Sequence, residues 1–323
     1  MKAAIAIGSG TAPVFGEFQD PVAENGFELV TVKAAALSNL TKARASGSHY
    51  SAENQYPFVP GVDGAGTTQD GRRVYFVMPE APFGAMAERT LVDVRRTLPL
   101  PEGIDDVAAA ALANPGMSCW AALVERARFQ SGETVLINGA TGSAGTVAVQ
   151  VAKHLGAKKI IVTGRNAEEL NALRHLGADV AIPFDLRPDH PTGVEDLESA
   201  LVDEFAHGLD VVIDYLWGTS ARTIIVAVAK AIEDAHPVRF VQVGEASREL
   251  VELPGAALRS SAIQIMGSGL KSVPLPRLLE AIRNTFALAA QSGLHLPTKA
   301  VSLSTVADTW NAPGKPRLVY TSS

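Results

Sequence analysis

From Thr134 to Met266 the chain alternates short, almost continuously apolar runs with stretches of helical period. The runs are Thr134–Asn138, Lys159–Thr163, Val180–Phe184, Asp210–Asp214, Arg239–Val243 and Ile263–Met266. They are rich in Val and Ile and show no apolar/polar alternation, as strands covered on both faces require. Between them lie Ala144–Leu155, Ala167–Leu176, Val194–Phe205 and Ser220–Glu233, which read as helices. Such alternation leaves few folds open. It predicts a parallel, doubly wound sheet with right-handed crossovers.

Residues 1–113 read differently. Phe27–Val32, Gly71–Val77 and Ala87–Val94 are short apolar runs cut by turn residues, and a helical period holds only around Ser38–Ser46. This predicts an irregular, mostly β domain. Leu275–Gln291 reads as a further helix, and Lys299–Val301 and Arg317–Tyr320 as closing strands. At 323 residues the chain has room for two domains. No internal repeat or low-complexity tract occurs.

Composition excludes several classes. Lys and Arg number 28 against 34 Asp and Glu, a net charge of −6, so nothing draws the whole chain to nucleic acid or anionic lipid. The single cysteine, Cys119, rules out an intrachain disulfide and a zinc site of several thiolates. None of the seven histidines sits at metal-ligand spacing, and no Gly-x-Ser-x-Gly elbow occurs. The apolar start Met1–Ile7 breaks at Gly8, too early for a signal segment. No run approaches the roughly 18 apolar residues of a membrane span. The expectation is a cytoplasmic protein without metal, membrane or nucleic-acid partner.

The first run of the alternating region leads into Asn138-Gly139-Ala140-Thr141-Gly142-Ser143-Ala144-Gly145. In the dinucleotide fingerprint, three small residues allow a tight turn, close approach to pyrophosphate, and close helix–strand packing. Ala140, Gly142 and Gly145 fill those positions, and the N-terminus of the following helix faces the phosphates. A turn that merely packs is the plainer reading, but strand, loop, helix and second strand follow in the order the fingerprint needs. An NAD-dependent protein usually ends that second strand with Asp or Glu, to bond the ribose 2′-hydroxyl. Here Gly164 stands in the acidic slot, and Arg165 and Asn166 follow. The small residue leaves room for a 2′-phosphate and the guanidinium can grip it, so the expected cofactor is NADP(H). As a solvated surface residue Arg165 would do neither, and Glu168 and Glu169 oppose a phosphate.

With these motifs in view, the sequence resembles the medium-chain dehydrogenase/reductase superfamily, in its zinc-independent quinone oxidoreductase-like branch. The resemblance runs through Phe58–Gly66, where Val62 and Asp63 replace a metal-site His–Glu pair, and Leu37–Lys42, which lacks the metal-binding Cys. It continues in Asn114–Trp120, Asn138–Gly145, Leu176–Asp179, Val241–Gly244, Met266–Ser268 and Gly314–Val319. It implies a GroES-like β-barrel catalytic domain over residues 1–113 and 270–323. A Rossmann cofactor-binding domain with a six-stranded parallel sheet would span 114–269, and the chains would form homodimers. It places Thr141, Ser143 and Ala144 in the cofactor loop and Ser118 near the nicotinamide. Phe184 falls beside the cofactor, and Val243, Gly244, Gly267 and Ser268 at later strand ends. Leu216 follows the fourth parallel strand, at the edge where such sheets bind ligands. In two places the chain departs from its relatives. Ser38-Asn39 stands where many have Asn-Pro, and Glu169 where some carry a phosphate-binding Lys.

Without a metal, the reaction that asks least of the protein is hydride transfer to a small electrophile, a quinone or an α,β-unsaturated carbonyl. Tyr50, Asn39 and Lys42 are the candidates for donating to the acceptor oxygen, with a surface or packing role the alternative for each. Cys119 reads as a buried apolar residue rather than a nucleophile. Two other functions stay open. One is reduction of enoyl thioesters, and the other is an NADPH-binding protein with little turnover.

Overall fold

A computed structural model describes residues 1–48 and 55–322. The chain divides into two compact units, Met1–Asn114 with Ile282–Ser323, and Pro115–Ala281.

The first unit opens with an antiparallel pair, β1 (Lys2–Ile5) and β2 (Val14–Glu17). Then follow β3 (Phe27–Ala36), α1 (Asn39–Ala45), β4 (Asp63–Thr68), β5 (Arg73–Val77), β6 (Arg89–Asp93) and β7 (Thr97–Pro99). The apolar spacing does not predict β1, β2, β4 or β7. β4 reads Asp-Gly-Ala-Gly-Thr-Thr, poor in strand formers. Its glycines are there because neighbours press close: a Cβ on Gly66 would lie 2.3 Å from the Thr31 carbonyl oxygen.

A helix also appears where no helical period is expected. α2 (Asp106–Trp120) continues as a π-helical turn over Ala121–Arg126. Its alanines favour helix but draw no polar face, and Pro115 inside it reads in sequence as a breaker. Asp106–Arg126 is also long and apolar enough to cross a membrane by length and composition, contrary to the expectation that no segment approaches this. However, 67% of its most apolar window is buried inside the protein, as in a core helix.

The second unit carries the alternation. Its elements are β8 (Thr134–Asn138), α3 (Ser143–His154), β9 (Lys159–Gly164), α4 (Ala167–Ala172), β10 (Val180–Pro183), α5 (Gly193–Phe205), β11 (Val211–Asp214), α6 (Gly218–Ala231), β12 (Pro237–Gln242), α7 (Gly255–Arg259) and β13 (Ala262–Gly267). The six strands form one parallel sheet in the order β10-β9-β8-β11-β12-β13. All of β8 and β11 is buried, which explains their unbroken apolar sequence. The helix expected over Ala167–Leu176 is shorter, because after Ala172 the chain tightens into a 3₁₀ turn that ends at Gly177.

α8 (Leu275–Ser292) leads back to the first unit, where β14 (Thr298–Ser302), α9 (Val306–Thr309) and β15 (Arg317–Thr321) complete the chain. Their sheet has seven strands, β14-β15-β3-β4-β5-β7 with β6 also on β3. Val30, Val32, Val74, Phe76, Val92 and Tyr320 lie in its core.

Candidate functional site

The strand order reverses between β8 and β11, since β9 and β10 lie on one side of β8 and β11 to β13 on the other. Ligands of open parallel sheets bind at such a switch point, beyond the carboxyl ends of the strands. The glycine loop sits there.

β8 ends at Asn138 and the chain turns at Gly139, which has φ +83°. The left-handed residue of the turn is therefore Gly139, one position before the Ala140 that the fingerprint assigns to it. The Asn-Gly pair at a strand end is the sequence signal for this. The amides of Gly139 and Ala140 both donate to the Thr163 carbonyl, at 3.0 and 3.1 Å. Gly145 has the packing role expected of it, because a Cβ there would lie 2.5 Å from Ala140 Cα. Gly142 is exposed, and a Cβ there would meet nothing closer than 3.6 Å.

α3 starts at Ser143, with Val147, Ala148, Val151 and Ala152 buried along one face and Lys153 and His154 in its last turn. Among the described residues, no acceptor is recorded for the backbone amides of Ser143, Ala144 and Gly145. Three amides at the start of a 12-residue helix, beside an open glycine, fit a pyrophosphate.

β9 delivers Gly164, buried between Thr141 and Leu170, and then Arg165, exposed and without a recorded partner among the described residues. Asn166 Oδ1 caps α4 by accepting from the Glu169 amide at 3.1 Å. Phe184 donates its amide to the Gly164 carbonyl at 3.0 Å, but its ring is buried in the unit's core with Ile161 and Leu197. The amides of Val243 and Gly244 donate to the Asp214 carbonyl at 2.8 and 3.1 Å. Ser268 donates its amide to Gln242, and the Gly267 carbonyl accepts from Arg126 Nε at 2.8 Å. Ser118 lies near the buried hydroxyl of Tyr215. Most of the expected cofactor residues thus lie at the carboxyl ends of the parallel strands.

Three polar residues below this edge escape a reading of the sequence. Asn138 and Asp214 each end an apolar strand and Thr163 stands next to last in β9, and the sheet register pairs Asn138 with both of the others. Asn138 Nδ2 donates to Asp214 Oδ1 at 2.8 Å and to Ser220 Oγ at 3.0 Å, and Asn138 Oδ1 accepts from Thr163 Oγ1 at 2.7 Å. The Asp214 carboxylate also accepts from the amides of Leu216 and Trp217. Burial pushes its carboxyl up to about 6 against those hydrogen bonds. Trp217 takes φ 62° and ψ −156°, a backbone region that costs a non-glycine residue about 1–3 kcal/mol. The Asp214 carboxylate and the packing of the indole on Phe240 hold it there.

In the first unit, Asn39 is exposed at the start of α1, which Ser38 caps, and Lys42 is half-buried three residues on. Burial lowers the Lys42 ammonium from its ordinary value. Tyr50 lies outside the described residues. Asp63 accepts from the Tyr75 hydroxyl in a buried cluster with Arg317. Cys119 is buried and its thiol is pushed up to about 12, which suits packing and not nucleophilic attack. Among the described residues no group of three or more His, Cys, Asp or Glu could hold a metal ion.

A family model described as a zinc-binding dehydrogenase matches residues 144–283, from the start of α3 into α8. A probable NADPH-dependent quinone reductase of Emericella nidulans is 28% identical over 341 residues, covering 94% of each chain. These matches agree with the resemblance to the medium-chain dehydrogenase/reductase superfamily, in its quinone oxidoreductase-like branch, that the sequence carries. An NADPH-dependent alkenal/one oxidoreductase of Arabidopsis thaliana is 32% identical over 173 residues, 48% of this chain and 44% of that one. The fold is similar to that of the Thermus thermophilus quinone oxidoreductase, with TM-score 0.80, 24% identity, and 99% and 100% of the two chains covered.

Proposed function

We propose that this protein is an NADPH-dependent, zinc-independent reductase that delivers hydride to a quinone or an α,β-unsaturated carbonyl. The observation that carries the reading is the loop: three unpartnered amides beside open Gly142, with exposed Arg165 after a strand that lacks a terminal acid. The two named relatives, both described as NADPH-dependent, support the same cofactor here.

In this reading Ser143, Ala144 and Gly145 bind the pyrophosphate through their amides, with Ala140, Thr141 and Gly142 shaping the approach. Arg165 grips the 2′-phosphate over Gly164, beside Asn166 and Phe184. Ser118, Leu216, Val243, Gly244, Gly267 and Ser268 line the rest of the cofactor bed. When bound, reduced NADP(H) supplies a hydride, two electrons with one hydrogen, to the electrophilic carbon. The acceptor oxygen then takes up one proton. Tyr50, Asn39 and Lys42 are the chain's donors for that oxygen, and a hydrogen bond there lowers the developing charge. We assign the donors to a GroES-like catalytic domain over 1–113 and 270–323 and the cofactor to a Rossmann domain over 114–269. We place the protein in the cytoplasm as a homodimer.

The test follows NADPH absorbance with EDTA-treated protein against a quinone and a simple enone, with NADH in parallel. Consumption that prefers NADPH supports the reading. Cofactor binding without consumption by either acceptor sinks the proposed substrate class and favours a protein of little turnover. Arg165→Ala is expected to weaken NADPH binding by about 10- to 100-fold, the worth of a charge-assisted contact, and to leave NADH nearly unchanged. Equal weakening of both removes the 2′-phosphate assignment.

A further inference from the structure

We propose that Asn138, Thr163, Asp214 and Ser220 form a positioning network that sets the glycine loop for pyrophosphate, an inference that rests on the dinucleotide reading above. All four are buried: Asn138, Thr163 and Asp214 show 0% exposure and Ser220 4%. They join three adjacent strand ends and the first turn of α6. Each link passes toward the loop.

Thr163 holds the loop twice. Its carbonyl accepts from Gly139 and Ala140, while its hydroxyl donates to Asn138. Asn138 uses both hydrogens of its amide, one on Asp214 and one on Ser220. Ser220 in turn donates to the Trp217 carbonyl at 3.2 Å. Asp214 fixes the turn after β11 through the amides of Leu216 and Trp217. That turn reaches back to the loop, because a Cβ on Gly139 would lie 2.8 Å from Leu216 Cγ. The Leu216 side chain therefore rests on the left-handed residue that aims the pyrophosphate amides.

Apolar side chains could fill this space without needing partners. A polar network supplies direction, since each group fixes the angle of the next. An Asn at 214, or a proton on Oδ2, keeps the Oδ1 acceptor but sets a donor where Oδ2 now faces the Trp217 amide, which loosens the turn at Trp217. The groups recorded against the carboxylate are uncharged amides, so no nearby ion pair substitutes for it.

The test measures equilibrium binding of NADP+, NAD+ and 2′-AMP to the full-length protein. The last probe carries the 2′-phosphate but no pyrophosphate. Asp214→Asn is expected to raise the NADP+ dissociation constant about ten-fold and Thr163→Val about five-fold. NAD+ should weaken by the same factors, while 2′-AMP stays unchanged. Thr163→Ser, which keeps the hydroxyl, should return NADP+ binding to within about two-fold of wild type. If Asp214→Asn does not fold, Thr163→Val and Ser220→Ala carry the test alone. Unchanged NADP+ binding in the folded variants overturns the proposal. So does parallel loss of NADP+ and 2′-AMP, which marks general loosening. A wild-type protein that binds neither NADP+ nor 2′-AMP overturns the dinucleotide reading itself, and the network's role with it.

Discussion

Asp214 in the second unit and Asp63 in the first are both deeply buried carboxylates, and they are treated in opposite ways. Asp214, below the cofactor edge, receives hydrogen bonds from a side-chain amide and two backbone amides. Asp63, in the seven-stranded sheet, receives one from Tyr75, and its Oδ1 has no partner among the described residues. Arg317 supplies opposite charge near Asp63, yet its own Nε and Nη2 are also buried without partners. Burial raises both carboxyls above their ordinary value and lowers the Arg317 guanidinium. The lesson is that burial alone sets the direction of the shift, while the number of donors decides whether a charge can be kept at neutral pH. The Asp214 network keeps its carboxylate ionised above about pH 6. The Asp63 cluster depends on a single countercharge.

The largest effect should come from breaking that dependence. Asp63→Asn leaves Arg317 buried with no counterion, and a guanidinium cannot deprotonate to escape. We expect a loss of about 3–5 kcal/mol in urea unfolding. Arg317→Met should cost less, because Asp63 can take a proton. Asp63→Asn combined with Arg317→Met should be more stable than Asp63→Asn alone, since Tyr75 keeps an acceptor and no charge remains. A double variant as unstable as the single would show that the charges do not interact.

The Asp214 side of the comparison titrates. Its folded value of about 6 lies above the ordinary 3.8, so the folded state holds this proton more tightly than the unfolded chain. Its contribution to stability therefore falls as pH rises from about 4 to about 6, by up to about 3 kcal/mol, and is constant above about 7. Asp214→Asn has no such proton. The stability difference between wild type and this variant, followed by urea unfolding from pH 4 to 8, should drift across that window and then level. A difference flat with pH would mean that Asp214 is not shifted.

How legible these sites were depends on whether a residue's role is local. The six parallel strands could be read within a few residues because burial on both faces leaves unbroken Val/Ile runs, as in Thr134–Asn138. The packing role of Gly145 could be read because the fingerprint is contiguous, and a Cβ there would lie 2.5 Å from Ala140 Cα. Gly139 takes the left-handed position one residue before the fingerprint's first small residue, and its only local signal is the Asn-Gly pair at the strand end. α2 escaped because an alanine run has no polar face to give it a period, and Pro115 suggested a break. The Asn138–Asp214 pair could not be read at all. It spans 76 residues, and only the strand order puts β11 beside β8. Asp63 was legible as a departure from a metal-site motif, but Arg317 beside it was not, because the chain must return from the second unit to bring it there.

The smallest effects separate the two clusters by redundancy. Ser220→Ala removes one of the two acceptors that serve the Asn138 amide and leaves Asp214 with all its donors. We expect a loss of about 1 kcal/mol, the worth of one neutral hydrogen bond. Tyr75→Phe removes the one recorded donor to Asp63 and leaves both carboxylate oxygens dry. It should cost about 2–3 kcal/mol, because a buried charged group loses its last hydrogen bond. The two losses, measured by urea unfolding at pH 7, should therefore differ although each variant deletes one hydroxyl. Equal losses would mean that the extra donors at Asp214 add no tolerance, and that the two carboxylates are held alike.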